Sequence, residues 1–195
     1  NRDFGTVKGL EMTLELRRTK RLSAKVNYTL SDARGTGSDS RSTRVAVSDG
    51  STRYPILTYP LNFNQSHRGS IILDYRFAKN DGGQILQGTG LNAILTFNSG
   101  HAYTQISEIA TLGQASPWNI GVYPLQDARF RNPVEPINSS ATPFNFNVDV
   151  NLSRQISLSK INAEVYVNVL NLLDTKNITN VYPNTGTAED DGWLR

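Results

Sequence analysis

Period-two alternation is the sequence feature that most limits how this chain can fold. Six stretches alternate apolar with polar residues, and helical periodicity is hard to find. In the first stretch Leu10, Met12, Leu14 and Leu16 alternate with glutamate and threonine. Successive side chains of a β-strand point to opposite faces of a sheet, whereas an amphipathic helix repeats every 3.6 residues. The pattern therefore predicts an all-β chain whose strands each have an apolar and a polar face.

The links between the predicted strands fall into two length classes. The six strands cover about residues 7–17, 22–30, 67–77, 91–97, 144–152 and 162–174. Short turns join the strands in pairs, through "RTKR", through "AKNDGG" and through a few polar residues before the sixth strand. The other two links, residues 32–66 and 99–142, are long and would be unusual in a compact soluble domain. We therefore expect an antiparallel sheet with short turns at one end and long loops at the other.

The alternation alone does not decide what the apolar face touches. A soluble antiparallel sheet with one packed face shows the same pattern. A large membrane barrel adds a polar lumen, short turns at one end and long loops at the other. The predicted polar face carries these charged residues at strand centres: Glu11, Glu15, Lys25, Asp74, Arg76, Asp149 and Glu164. The aromatic residues Tyr28, Tyr75, Phe77 and Phe97 lie near strand ends on the apolar face, where an interfacial girdle would place them.

The loop asymmetry favours the membrane interpretation over the soluble one. The predicted strands are longer than the usual five or six residues, and about 9 to 11 tilted residues cross a bilayer. Six strands cannot close a wide barrel, so the predicted fold is an antiparallel transmembrane β-barrel sector of about six strands with long extracellular loops. The rest of a larger barrel, including the closing strands, is expected outside residues 1–195.

Composition and charge argue against several other classes of protein. Only 37% of the residues are hydrophobic, and the chain has no cysteine, which excludes disulfides and thiol chemistry. The net charge of +3 is spread along the sequence, so no nucleic-acid partner is expected. Glu11 and Glu15 are too far apart along a strand for a retaining carboxylate pair. His67 and His101 lack neighbouring ligands at metal-site spacing, and we therefore expect no catalytic residue, no metal and no cofactor.

Four asparagines fit the N-glycosylation pattern formally, namely Asn27, Asn64, Asn138 and Asn177. Asn27 would face the lumen of a bacterial barrel, and the chain is rich in asparagine, so chance matches are expected. The acidic run "AEDDG" lacks the ligand spacing of an EF-hand and is expected to be a solvated turn.

Several stretches, in the order in which they occur, resemble the C-terminal barrel region of TonB-dependent outer-membrane receptors, particularly the large receptors of Bacteroidetes. The stretches "DFGTVKGLEMTLELRR", "VNYTLSDARGTGS" and "TFNSGHAYT" are similar to strands and strand exits of that family. "YPLNFNQSHRGSIILDYRF" resembles a loop re-entry in which Asn64 replaces the more common aspartate. "NVLNLLDTKNITNVYPNTG" resembles a late element in which Leu173 replaces the usual phenylalanine.

This resemblance implies a non-enzymatic role in energised uptake across the outer membrane of a Gram-negative bacterium. The family combines a plug domain with a 22-stranded barrel, and this chain would contribute part of the barrel wall and its loops. The implied ligand is a scarce siderophore, vitamin, peptide or glycan. The implied partners are outer-membrane lipid, the rest of the barrel and the plug, the TonB complex through segments outside this chain, and a surface lipoprotein.

Exposed aromatic and arginine residues in the long loops are the candidates for ligand contact, because such residues are common binding anchors. The candidates are Arg53, Tyr54, Tyr59, His101, Tyr103, Trp118, Tyr123 and Arg129. The alternative, that these side chains pack the loops on one another, is left open. Two other functions also stay open at this point: an outer-membrane barrel for protein export or surface assembly, and a soluble glycan-binding β-sandwich.

Overall fold

A computed structural model describes residues 4–38, 57–78, 80–106, 133–158 and 161–191 of the chain. Its elements are almost all β-strands, which confirms the predicted all-β class. The elements are β1 Gly5–Thr19, β2 Leu22–Gly35, β3 Tyr59–Pro60, β4 His67–Arg76, α1 Gly83–Leu86, β5 Thr89–Asn98, β6 Ala102–Tyr103, β7 Ser140–Ala141, β8 Asn145–Leu158 and β9 Ile161–Val169. In this part of the chain, no helix has the length and apolar content needed to span a membrane.

Six long strands form one sheet in the order β1-β2-β4-β5-β8-β9, and every neighbouring pair is antiparallel. The strand β3 extends this sheet beside the end of β2, and β6 pairs with β7 in a separate two-stranded sheet. The six long strands correspond to the six predicted strands, and the largest differences are at strand ends, where β2 and β8 are longer than predicted and β9 is shorter. The three two-residue strands were not predicted, because they are too short for alternation to be read.

The connections have the predicted asymmetry. Two turn residues join β1 to β2, residues 77–88 join β4 to β5, and residues 159–160 join β8 to β9. Much longer segments separate β2 from β4 and β5 from β8. The link after β4 contains Asn80, Gly82 and Gly83, all with positive φ, as a reversal built on "AKNDGG" requires. The single helical turn α1 within that link was not predicted.

Pairing register places the apolar residues of all six long strands on one face. One transverse row runs Leu14, Val26, Ile71, Leu95 and Val148, each paired with the next. Since side chains alternate along a strand, the intervening residues lie on the opposite face. The predicted assignment of faces is therefore confirmed for these rows, and Ile72 with its partner Ile94 is an exception on the polar face.

A β-bulge at the end of β1 departs from that assignment. Leu16 pairs with Ala24, but the next pair is Thr19 with Leu22, so two residues of β1 oppose one residue of β2. One of these two is Arg18, whose position in the alternation would otherwise put it on the apolar face with Leu16. The bulge turns Arg18 to the polar face, as bulges commonly redirect a side chain.

The buried apolar residues of the described chain lie at the long-loop end. They are Ala33, Leu61, Ile106 and Val181. The apolar face of the sheet is open by contrast: Leu10 is 60% exposed and Leu14 is 58% exposed on β1, and Val165 is 57% exposed on β9. The sheet therefore leaves a broad apolar surface without a covering layer among the described residues.

Candidate functional site

The exposed apolar face of the sheet, here called the apolar band, is the first candidate functional surface of the fold. We define it as the apolar residues of the six long strands on the face of Leu14. From the long-loop end downward, its rows include Met12, Tyr28, Phe97 and Phe146; Leu14, Val26, Ile71, Leu95 and Val148; Leu16, Ala24, Leu73, Ala93, Val150 and Val169; and Leu22, Tyr75, Leu91, Leu152 and Val167. Exposed apolar patches of this extent mark a surface that contacts lipid or another protein.

Aromatic rings border the apolar band at the long-loop end. The ring centroids of Tyr28 and Phe97 are 6.4 Å apart, and those of Phe97 and Phe144 are 6.0 Å apart. Tyr28 also stacks on His67, with its hydroxyl 2.7 Å from the His67 Nδ1 atom. Gly69 makes this packing possible, because a Cβ atom there would lie 2.4 Å from the ring of Phe97. Rings with polar tips are typical of a boundary between apolar and aqueous surroundings.

A second aromatic group borders the band at the short-turn end. Tyr75 and Phe77 meet edge to face at a centroid distance of 5.4 Å. The guanidinium group of Arg21 lies 4.5 Å from the Phe77 ring centroid and donates from Nε to Asp81 Oδ2 at 2.7 Å. This hydrogen bond holds the pKa of the Asp81 carboxyl group below its usual value. The pair fixes the link before α1 against the β1–β2 turn.

The opposite face of the sheet is polar, and hydrogen bonds run across its strands. Thr13 donates to Asn27 Oδ1 at 3.2 Å, and Asn27 Nδ2 donates to Ser70 Oγ at 3.1 Å. Nearer the short turns, Asp74 accepts hydrogen bonds from both Arg18 and Arg76. The sequence predicted charged residues on this face, and the register confirms that placement.

Two isoleucines interrupt the polar face near its centre. Ile72 pairs directly with Ile94, between Lys25 on one side and Asp149 on the other. Ile72 breaks the alternation of β4, and its pairing with Ile94 gives it an apolar neighbour. The two side chains contact each other across the strands, which accounts for the exception without changing the strand register.

The long-loop end of β8 extends beyond β9, and asparagine side chains hydrogen-bond there with the segment that follows β9. The amide of Asn145 donates to the carbonyl oxygen of Ile178 and accepts from its N–H group, both at 3.0 Å. Asn177 Oδ1 accepts the N–H of Phe146 at 3.0 Å. The neighbouring Asp149 carboxylate accepts the N–H of Asn171, where the chain leaves β9 with φ 51°. Sequence reasoning missed this edge, although the high asparagine content was a signal.

The loops are held together by a buried asparagine. Asn138 has φ 57° and donates from Nδ2 to the carbonyl oxygen of Pro60 and to Asn62 Oδ1, at 2.6 and 2.8 Å. Its own N–H donates to Thr104 Oγ1 at 2.8 Å. Asn64 Oδ1 similarly accepts the N–H of Ala33. Together with Asn27 and Asn177, all four asparagines of the formal glycosylation patterns thus have structural hydrogen bonds.

Three of the eight predicted ligand-contact residues lie in the described part of the chain. Tyr59, on β3, donates its hydroxyl to the carbonyl oxygen of Thr36 at 3.1 Å. The Nε2 atom of His101 lies 3.2 Å from Gln65 Nε2, and its backbone N–H donates to Thr142. Tyr103, on β6, has its hydroxyl beside Gly186. The other five lie outside the described residues: Arg53, Tyr54, Trp118, Tyr123 and Arg129.

The three described candidates therefore have contacts to other loop segments, so a role in packing the loops is supported for them. His101 remains exposed, and Tyr59 and Tyr103 are half-buried, so ligand contact by these side chains also stays a prediction. Within the described ranges, no three His, Asp or Glu side chains are grouped closely enough to hold a metal ion.

Comparison with protein-family models, with curated proteins and with solved structures gave no match to this chain.

Proposed function

We propose that this chain forms a sector of the wall of an outer-membrane β-barrel, in a TonB-dependent receptor that takes up a scarce ligand. The observation that carries the proposal is the apolar band, which extends unbroken across six paired strands opposite a polar face. A barrel in lipid needs an apolar outer surface, a polar lumen and no open strand edge within the bilayer. Further strands beside β1 and β9 would remove the edges of this sheet.

The height of the apolar band is consistent with this proposal. On β4 the upper ring cluster lies over Gly69, and the lower aromatic pair ends at Phe77, immediately after the strand. Eight residues at about 3.4 Å each give roughly 27 Å along the strand. At a tilt of about 40°, the same segment covers roughly 21 Å of the membrane normal, close to the apolar band of about 25 Å in known barrels.

The chain's share of uptake in this proposal is structural. The long loops would capture the ligand at the cell surface, and the polar face would border the plugged lumen. The receptor family is proposed because five sequence stretches resemble it in the same order. One of them, "NVLNLLDTKNITNVYPNTG", includes the end of β9 and the segment that hydrogen-bonds to Asn145 at the edge of β8. Energised transport by the TonB complex is part of the same proposal and would involve segments outside this chain.

A detergent test addresses the membrane part of the proposal. The protein that carries this chain is expected to fractionate with outer membranes and to stay monodisperse only in detergent or lipid. A protein that remains soluble and monodisperse without either would refute the membrane location, because the apolar band would then be covered by protein.

A deletion test addresses the transport part. Loss of the parent gene is expected to abolish uptake of one ligand among siderophores, vitamins, peptides and glycans, measured with labelled compounds in intact cells. Unchanged uptake of all of them together with blocked secretion would instead identify an export barrel. Re-expression of the wild-type gene is the control, and it should restore uptake.

A further inference from the structure

A recess on the polar face, at the short-turn end, has features that the barrel-wall role does not require. Its volume is about 670 Å³, within the range of about 300–1,000 Å³ typical of small-molecule sites. Four cationic residues and one acidic residue, Glu164, line it. The cationic residues are Arg18, Lys20, Arg76 and Arg154.

The β-bulge of β1 supplies one wall of the recess. Because the bulge turns Arg18 to the polar face, its guanidinium group reaches across β2 to Asp74 on β4 and donates on the way to the carbonyl oxygen of Arg21 at 3.1 Å. Arg76 Nε donates to the same carboxylate, at 3.1 Å from Asp74 Oδ2. One carboxylate therefore orients two guanidinium groups toward the recess.

Positive charge remains in excess after this pairing. Arg18 is 42% exposed and Arg76 is 59% exposed, so both guanidinium groups keep N–H donors open to solvent. Arg154 is left out of the charge count, because the register puts it on the face of Leu152 and its guanidinium donates to the carbonyl oxygen of Gln84. Counting Asp74 and Glu164 against Arg18, Lys20 and Arg76 leaves one positive charge in excess.

Glycines keep the floor of the recess at backbone level. A Cβ atom on Gly90 would lie 3.2 Å from Ser153 Oγ and 3.4 Å from the Arg76 side chain. Gly88 has φ 71°, and a Cβ atom there would lie 3.0 Å from the carbonyl oxygen of Gln155. The N–H of Gln155 donates to the carbonyl oxygen of Gly88 at 2.9 Å, which fixes this link against β8. A side chain at either glycine would occupy space that a ligand could use.

We propose that this recess binds a small ligand with two or more anionic groups, carboxylate or phosphate. Guanidinium groups present paired N–H donors that match the oxygen atoms of both groups, and a lysine at the rim adds a further positive charge. Asp74 already occupies part of the guanidinium surface, so the ligand would bind through the remaining donors of Arg18 and Arg76. The site lies at the short-turn end, away from the candidate loop residues, and it goes beyond the proposed uptake function.

Calorimetric titration of the full-length protein that carries this chain, purified in detergent, tests the proposal, with inorganic pyrophosphate as the phosphate probe and citrate as the carboxylate probe. Saturable binding of at least one probe is expected, and it should weaken as salt is raised because exposed charges are screened. Arg76→Gln should reduce the affinity about tenfold or more, since it removes charge-assisted donors. The preferred probe then identifies the chemical class of the ligand.

Arg68→Gln is the matched control, because Arg68 lies on the same strand and the same face but opposite Thr29 and Asn98, away from the recess. Its affinity should stay within about twofold of the wild type, since its charge is distant. Equal losses in the two variants would indicate general charge attraction and would overturn the proposal, as would absent binding of both probes. If Arg76→Gln fails to fold, Lys20→Asn in the turn provides the same comparison, because asparagine tolerates the φ of 56° found there.

Discussion

An arginine placed at the middle of the apolar band provides a direct test of what covers that face. Val150 pairs with Ala93 on one side and Val169 on the other, in the same transverse row as Leu73. This row lies about midway between the aromatic groups at the two ends. Arginine at the bilayer midplane of a barrel costs about 2–4 kcal/mol, and the cost falls to about 0–1 kcal/mol near the interfaces. Val150→Arg is therefore expected to lower the free energy of unfolding by about 2–4 kcal/mol.

The assay is urea unfolding of the full-length protein that carries this chain, in lipid vesicles and followed by far-ultraviolet circular dichroism. Asn151→Arg is the first control, because the neighbouring residue faces the polar side between Asn92 and Asn168 and should tolerate the change. Leu10→Arg is the second control, because Leu10 lies on the same face as Val150 but beyond the Tyr28 row. Its expected cost is about 0–1 kcal/mol, as for a residue near the interface.

The pattern among the three variants carries the test. Equal losses for Val150→Arg and Asn151→Arg would contradict the assignment of faces. If Leu10→Arg lowers the free energy of unfolding as much as Val150→Arg, the assignment of faces still holds but a surrounding bilayer is refuted. The cost of an arginine depends on its depth in lipid, whereas no such dependence is expected on a face covered by protein.

Three further predictions concern local contacts. Gly69→Ala is expected to displace the Phe97 ring and destabilise the fold by about 1–3 kcal/mol, measured by thermal or urea unfolding, with an unchanged midpoint as the contrary result. Asn145→Ala removes two hydrogen bonds to Ile178 and should speed amide hydrogen exchange there, with a cost of about 1–3 kcal/mol at about 0.5–1.5 kcal/mol per bond. The pKa of Asp81 is lowered by its ion pair with Arg21, so the pair stabilises the link between β4 and β5 fully at pH values above 3.8, the ordinary pKa of the group. This stabilisation is lost as the pH falls through the lower pKa of the folded state. A carboxyl titration midpoint at or above 3.8, measured by NMR, would contradict that pairing.

The long strands and their faces were predictable from sequence because alternation reports a property that every residue of a strand shares. The rows from Leu14 to Val148 and from Leu16 to Val169 follow directly from that period once the antiparallel register is known. Link lengths were also predictable, since turn residues such as Asn80 and Gly82 mark the reversals. These features depend on local chemistry and on a repeating pattern.

Other features depend on single residues that the fold brings together, and no sequence pattern predicts them. The bulge that redirects Arg18 is one extra residue in a strand that otherwise alternates regularly. The side chain of Asn145 hydrogen-bonds to Ile178, which is far from it in sequence. In the sequence alone, Asn145 cannot be distinguished from the many other asparagines of the chain. The recess at the short-turn end requires both a bulge on β1 and two glycines, Gly88 just before β5 and Gly90 at its start, and neither stretch is distinctive alone.

The distribution of burial indicates which part of the molecule depends most on its surroundings. The buried apolar residues of the described chain, Ala33, Leu61, Ile106 and Val181, lie among loops that also contain the buried Asn138. The sheet has its ladder of backbone hydrogen bonds but gains little apolar burial from the described residues, and net stability depends largely on such burial. Removal of detergent or lipid should therefore destabilise the sheet before the loop contacts. Amide hydrogen exchange should show this order as an early loss of protection in β1 and β9, because the outer edges of these strands are unpaired within the described residues. A simultaneous loss of protection in the sheet and the loops would instead indicate that they form one cooperative unit.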